Sequence, residues 1–197
     1  MGLADYLFEQ AETYRAGANG ERRASEVLQA SLRSPWTLFR NVEWPHRRWG
    51  DADLILVGPG GVWTFEVKAY TGSVRNIGDK WQYKGRWGWR KMSRHPGRQA
   101  RRNAVNTKNY LELHGAAPGY VKPVVIWAGE PEAVTIEDPA VPVWKLSELS
   151  ESLEELWQRE KLSLEQVDKC SAILAEVIAQ DEARIAAEEA KEKKRSR

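Results

Sequence analysis

Asp53, Glu66 and Lys68 are the residues of this chain whose types and spacing could do chemistry. Residues 51–57 and 62–69 read as two strands joined by the turn sequence Gly58-Pro59-Gly60-Gly61. Closing that hairpin sets Val57 opposite Val62, Ile55 opposite Thr64 and Asp53 opposite Glu66. Successive strand side chains point to opposite faces, so Glu66 and Lys68 project from the same face as Asp53. Leu54, Leu56, Trp63, Phe65 and Val67 make the other face wholly apolar.

Directly opposed residues have Cβ atoms about 5 Å apart, and like charges at that spacing destabilise a sheet. Two facing carboxylates therefore call for a cation. Hard oxygen ligands suit Mg²⁺ or Mn²⁺, which keep several waters and accept substrate phosphate oxygens. Such an ion lowers the pKa of a bound water and neutralises charge developing on phosphorus, and an ammonium beside it can orient the attacking water. This is equipment for hydrolysing phosphodiesters. A purely structural alternative stands next to it: Asp51 falls opposite Lys68, so the lysine could be half of a cross-strand ion pair worth under ~1 kcal/mol.

The elements that must position these strands follow from periodicity. Leu3, Tyr6, Leu7, Ala11 and Tyr14 recur at helical spacing, residues 17–20 interrupt with two glycines, and a second helix is predicted over 21–32. Residues 37–44 form an opening strand, and 45–50 a basic loop. A second hairpin or meander spans 71–90, punctuated by Gly72, Gly78, Gly85 and Gly88. Pro96-Gly97 starts a helix to 113, followed by a buried strand at 121–127. Residues 141–144 add an edge strand, confined there by Pro142. Helices over 146–157 and 164–185 complete a mixed α/β sandwich, ending in an almost wholly charged tail.

The run of residues 50–68 resembles the core of the NERD (nuclease-related) domain, a branch of the PD-(D/E)xK nuclease superfamily. The resemblance extends to Gly20-Glu21, to His95-Pro96 followed by Gln99, and to the apolar strand of 123–127, covering about residues 17–130. It implies a restriction-endonuclease-like mixed sheet flanked by helices, with an added basic β-hairpin and C-terminal helices. The implied division is 1–16 as an N-terminal helical extension, 17–145 as the nuclease core and 146–197 as a C-terminal helical extension. It also implies metal-dependent cleavage of nucleic acid, DNA above all, with Asp53, Glu66 and Val67 holding Mg²⁺ or Mn²⁺ and Lys68 as the catalytic lysine. Roles in defence against foreign DNA or in DNA repair are associated with the family. Ala52 stands where the superfamily name has proline. Glu21, in the first turn of the core's first helix, is a further ligand in related nucleases, or else a favourable acid at a helix N-terminus worth ~0.5 kcal/mol. Gln99 matches a glutamine whose amide could hold a phosphate or a metal-bound water, or it is a surface residue.

Between residues 75 and 102 the charge is one-sided. Arg75, Lys80, Lys84, Arg86, Arg90, Lys91, Arg94, Arg98, Arg101 and Arg102 face a single acid, Asp79, and Trp81, Tyr83, Trp87 and Trp89 are interleaved with them. Cations for phosphates and rings for stacking suit nucleic acid. Alternation along this stretch puts the rings on a common face, so the rings are expected mainly to pack and the arginines mainly to bind. Arg22, Arg23, Arg47 and Arg48 could extend this surface. His46, His95 and His114 are too dispersed for a local metal site, and His95, before Pro96, reads as a helix-start residue. Gly58, Gly60 and Gly61 lack the lysine of a phosphate loop and make a turn.

Composition bounds the remainder. A chain of 197 residues with 42% hydrophobic content and ten tryptophans can bury a substantial core, and Cys170, the single cysteine, excludes an intrachain disulfide and a thiolate zinc site. No apolar run approaches the ~20 residues of a membrane span, and no basic-then-apolar leader is visible, which predicts a cytoplasmic protein with no membrane partner. A catalytically silent nucleic-acid-binding or protein-interaction module on the same fold is the alternative function. The C-terminal helices are the surface through which a homo-oligomer or a protein partner would form.

Overall fold

The computed structural model describes residues 3–45, 49–70, 72–130 and 133–195, with the backbone alone for 3–16, 192, 194 and 195. Its centre is the expected hairpin, β2 (Asp51–Gly58) against β3 (Gly61–Lys68), paired Ile55↔Thr64 and Val57↔Val62. β1 (Thr37–Glu43) pairs antiparallel with β2. On the other side β7 (Lys122–Trp127) runs parallel to β3, and β9 (Val143–Lys145) parallel to β7 at the edge. The second sheet has the order β6 (Gly88–Lys91), β5 (Lys80–Gly85), β4 (Val74–Ile77), β8 (Val134–Glu137), with β8 parallel to β4. Two mixed sheets flanked by helices make this a mixed α/β fold, consistent with a restriction-endonuclease-like architecture.

Both faces of the first sheet are buried. Leu54, Leu56, Trp63, Phe65 and Val67 pack against Ala24 and Leu28 of α1 (Leu3–Ala30) and against Leu149, Leu153 and Leu156 of α3 (Leu149–Trp157). Ile55, Val57 and Val62 pack on the opposite face against Ala104 and Leu111 of α2 (Pro96–Leu113) and Val167, Cys170, Leu174 and Val177 of α4 (Leu164–Arg195). At about 1.5–3 kcal/mol for each fully buried aliphatic or aromatic side chain, these layers are the main force holding the hairpin. The apolar stripe of α4 is thereby spent inside the chain.

Three expectations need correction. First, α1 is one helix of 28 residues with no break at residues 17–20. Gly20 is there for contact: a Cβ on it would meet the Ala69 Cβ at 2.8 Å and the Ala128 Cβ at 3.2 Å, so glycine lets the helix approach the ends of β3 and β7. Glu21 accordingly lies within a helix and not at its start. Second, the hairpin turn has two residues, Pro59 and Gly60, because Gly58 and Gly61 pair. A Cβ on Gly58 would stand 2.1 Å from the Trp36 ring, so the turn glycines also admit a packed indole. Third, β8 had no counterpart in the sequence reading; its four residues are recruited by β4 from far along the chain.

Candidate active site

The catalytic candidates sit where β2 and β3 part. Ladder pairing ends at Leu54↔Phe65, and Asp53 then replaces a main-chain partner: its Oδ2 accepts the Val67 N–H at 2.7 Å. Its backbone is held on the other side, where Ala52 pairs with Val42 and Leu54 with Arg40 of β1. Glu66, 3% exposed, lies on the same face, with Lys68 two residues on. Lys68 Nζ reaches Glu66 Oε1 at 2.5 Å. The alternative Lys68–Asp51 ion pair does not form: Asp51 is exposed and pairs in the sheet with Glu43, and the lysine turns to its own strand neighbour.

α2 supplies a contact the sequence reading missed. Asn103, 2% exposed, donates from Nδ2 to Glu66 Oε2 at 2.9 Å, so the two carboxylate oxygens of Glu66 are held from opposite sides. The signal was available in the helix itself. Ala100, Asn103, Ala104, Thr107, Tyr110 and Leu111 all turn inward, and an asparagine inside such a stripe requires a buried partner.

The electrostatics follow from burial. Desolvation pushes the Asp53 carboxyl up to about 7, with Glu66 adding to it, while the Val67 hydrogen bond and Lys68 pull the other way. Glu66 is also raised, by burial first, against the pull of Lys68 and Arg102. Burial works against the charge of Lys68, but Glu66 and Asp53 outweigh it and the lysine is raised, so it is a cation at neutral pH. The α1 side closes the group: the Glu21 carboxyl is raised by burial and then by Asp53 and Asp51, and lowered by Lys68. Glu21 therefore belongs to the same electrostatic cluster despite its changed place in the helix.

Among the described residues, no three His, Cys, Asp or Glu side chains gather as a ready metal cage. The donor chemistry nonetheless fits a hard cation. Two buried carboxylates, each raised chiefly by burial, present oxygen atoms at one sheet end, with Glu21 and Asp51 adding negative potential. Val67 is apolar and its N–H is taken by Asp53, so it could contribute only its carbonyl.

Gln99, one turn before Asn103 on α2, lines a cleft of ≈ 410 Å³ with Ser93, Arg94, His95, Arg98 and Arg102, and its buried Oε1 has no hydrogen-bond partner among the described residues. Arg102 connects this cleft to the carboxylates, since its charge acts on Glu66. His95 caps α2: its Nδ1 accepts the Arg98 N–H at 3.1 Å and its Nε2 donates to the Asp79 carbonyl at 2.6 Å, a tautomer set by these two contacts. His114 stacks on Tyr110 at the other end of the helix. His46, Arg47 and Arg48 lie outside the described residues. Arg22 pairs with Glu26, and Arg23 donates to the Ala128 carbonyl.

The basic strip divides. Arg101 pairs with Asp79 at 2.6 Å. Arg75 donates to Gln82 and lies over the Trp89 ring. Lys84, Arg86, Arg90, Lys91, Arg94, Arg98 and Arg102 are exposed and, among the described residues, none forms an ion pair. The rings do not share a face. Trp89 pairs with Lys84 and so takes the face opposite Trp81 and Tyr83, and along β5 Trp81 is buried in the second sheet's core while Tyr83 is 39% exposed and Trp87, in the turn, 79%.

The family model of the nuclease-related domain, NERD, matches residues 16–128. That range holds α1 from its middle, the β2–β3 hairpin, the basic ribbon, α2 and β7. No curated relative and no solved structure matches. No helix among the described residues is long and apolar enough to cross a membrane.

Proposed function

Because the chain belongs to the nuclease-related domain family, within the PD-(D/E)xK-like nucleases, we propose that it is a divalent-metal-dependent nuclease that hydrolyses phosphodiester bonds, with DNA as substrate. The observation that carries the reading is the buried group of Asp53, Glu66 and Lys68, with Glu66 held between the Lys68 ammonium and the Asn103 amide. Asp53 and Glu66, with the Val67 carbonyl, would hold Mg²⁺ or Mn²⁺. When bound, such an ion supplies an acidified water and charge neutralisation at phosphorus.

The protein's own groups do the remainder. Asn103 and Lys68 fix the orientation of Glu66, so its carboxylate needs no reorganisation when charge shifts. Lys68, a cation at neutral pH, is suited to orienting water and stabilising a phosphorane-like oxygen, not to abstracting a proton. Arg102, Arg98 and the Gln99 amide line the adjoining cleft and can receive the phosphate next to the scissile one. In hydrolysis the water oxygen bonds to phosphorus, one P–O ester bond breaks, and the leaving oxygen takes up a proton.

The absence of a three-carboxylate cage among the described residues favours a second reading, a nucleic-acid-binding module without catalysis. A cleavage panel separates them: linear, circular, single-stranded and double-stranded DNA and RNA, each with Mg²⁺, Mn²⁺ or EDTA. The nuclease reading expects cleavage with metal, none in EDTA and none from Glu66→Gln. Binding without cleavage under every condition supports the silent module, and cleavage that survives EDTA overturns the metal assignment.

A further inference from the structure

We propose that the tip of the β5–β6 ribbon stacks an unpaired base on Trp87, so that the nucleic acid this chain takes carries a single-stranded segment; this rests on the nuclease reading above and narrows its substrate. Arg86 and Trp87 are the two residues of a turn closed by the pair Gly85↔Gly88. The Trp87 ring is 79% exposed, the highest value among the large hydrophobic side chains described. Its neighbours on the ribbon are engaged. Trp81 is 3% exposed, and Trp89 lies under the Arg75 guanidinium, 4.5 Å from the ring centroid, and the Lys84 ammonium, 5.4 Å away. Gly88 leaves room beside the turn, since a Cβ built there would meet nothing within 4 Å. Arg86 lies over one face of the Trp87 ring, 5.1 Å from its centroid, as a phosphate-binding cation, and at 79% exposure the ring keeps its other face for a base.

Two clefts that share Ser93 are lined by ribbon residues on one side and by residues of α2 on the other. Tyr83 and Lys84, three and two residues before Arg86, line a cleft of ≈ 270 Å³ with Tyr70 and Ser93. Ser93 also lines the ≈ 410 Å³ cleft of Arg98, Gln99 and Arg102. Arg102 acts on Glu66, and Tyr70 follows Lys68 by two residues. A strand whose base rests on Trp87 and whose backbone follows the cations enters the site. An exposed indole among cations also suits an anionic lipid surface, but a flat bilayer cannot enter the cleft of Arg98, Gln99 and Arg102. A fully paired duplex offers no free base face to the ring, so the contribution of Trp87 is confined to unpaired nucleotides.

The test is fluorescence anisotropy in EDTA, where cleavage plays no part, with a labelled single-stranded oligonucleotide and its duplex. Trp87→Ala is expected to weaken single-strand binding about 5- to 100-fold, the loss of one stacked base, while changing duplex binding less than about 3-fold and leaving the salt slope unaltered. Trp87→Phe keeps a stacking face and should restore most of the affinity. Equal losses on both substrates, unchanged single-strand binding, absence of nucleic-acid binding by the wild-type chain, or binding of anionic vesicles in its place would each overturn the proposal. Cleavage assayed separately with Mg²⁺ keeps the readings apart. A chain that cleaves but ignores Trp87→Ala sinks this inference alone, and one that stacks a strand without cleaving sinks the catalytic reading alone.

Discussion

Replacing Asp53 by asparagine in metal-free buffer should invert the usual result of mutating a buried polar residue and stabilise the protein, in a pH-dependent way. The Asp53 carboxyl titrates at about 7 in the fold against an ordinary 3.8, raised by burial and then by Glu66. Between those values the folded chain binds more protons than the unfolded one, so this group's contribution is fully present below about pH 4 and is lost as pH rises through about 7. The separation is some three pH units at ~1.4 kcal/mol each, which sets a ceiling of about 4 kcal/mol. Asparagine does not titrate, and its side-chain oxygen can still accept the Val67 N–H that Asp53 accepts at 2.7 Å. Thermal melts across about pH 4 to 8.5 in EDTA should therefore show the wild type losing stability with rising pH and Asp53→Asn losing less. At about pH 8 the variant should melt higher by up to roughly 8–16 °C, taking 2–4 °C per kcal/mol for a chain of this size. Near pH 4 the two should converge. Mg²⁺ should raise the wild-type melting temperature and leave that of the variant nearly unmoved. Parallel pH profiles, or a variant less stable than wild type at pH 8, would refute the account of Asp53 as a carboxylate strained by burial beside Glu66.

Lys68→Ala should lower the cleavage rate by about 10² or more while metal binding, followed by calorimetry, persists, as expected of a group acting on transition-state charge; full activity would make Lys68 merely the counter-ion of Glu66. Asn103→Leu strands a buried Glu66 oxygen and should cost about 1–3 kcal/mol in urea unfolding, and a neutral result would mean that water takes the place of the amide. Neutralising Arg86, Arg90 and Arg94 together should weaken binding of all sequences about equally and flatten the log–log salt slope by roughly 1 for each phosphate no longer neutralised, with cleavage at saturating substrate little changed. Gly20→Leu drives a side chain into Ala69 and Ala128 and should destabilise by about 1–3 kcal/mol, more than the gain of up to ~1 kcal/mol in helix propensity; an unchanged melting temperature would mean that α1 can lift away from the sheet.

Local chemistry by itself determined a good deal of this protein. The β2–β3 hairpin was legible because side-chain alternation and a glycine-proline turn are nearest-neighbour properties, and together they dictate that Asp53, Glu66 and Lys68 share a face. The span of α2 was legible for the same reason: Pro96 can only begin a helix, and the inward stripe runs unbroken to Leu111. Tertiary structure decided what depends on groups distant in sequence. Gly20 reads as a helix breaker until Ala69 and Ala128 are placed against it, and then it is a residue that lets α1 bring Glu21 towards the site. Lys68 could pair with Asp51 or Glu66 by strand geometry alone, and only the burial of Glu66 beneath α2 makes the second choice the better one. Asn103 becomes a residue that orients Glu66 through a contact 37 residues away. The four aromatic rings acquired different fates because the β5–β6 register turns Trp89 to the face opposite Trp81 and Tyr83, and because coverage depends on what packs above a strand, which among the described residues leaves Trp87 79% exposed. Periodicity specifies which face a side chain takes; whether that face meets a helix, a carboxylate or solvent is a long-range packing outcome that no local pattern encodes.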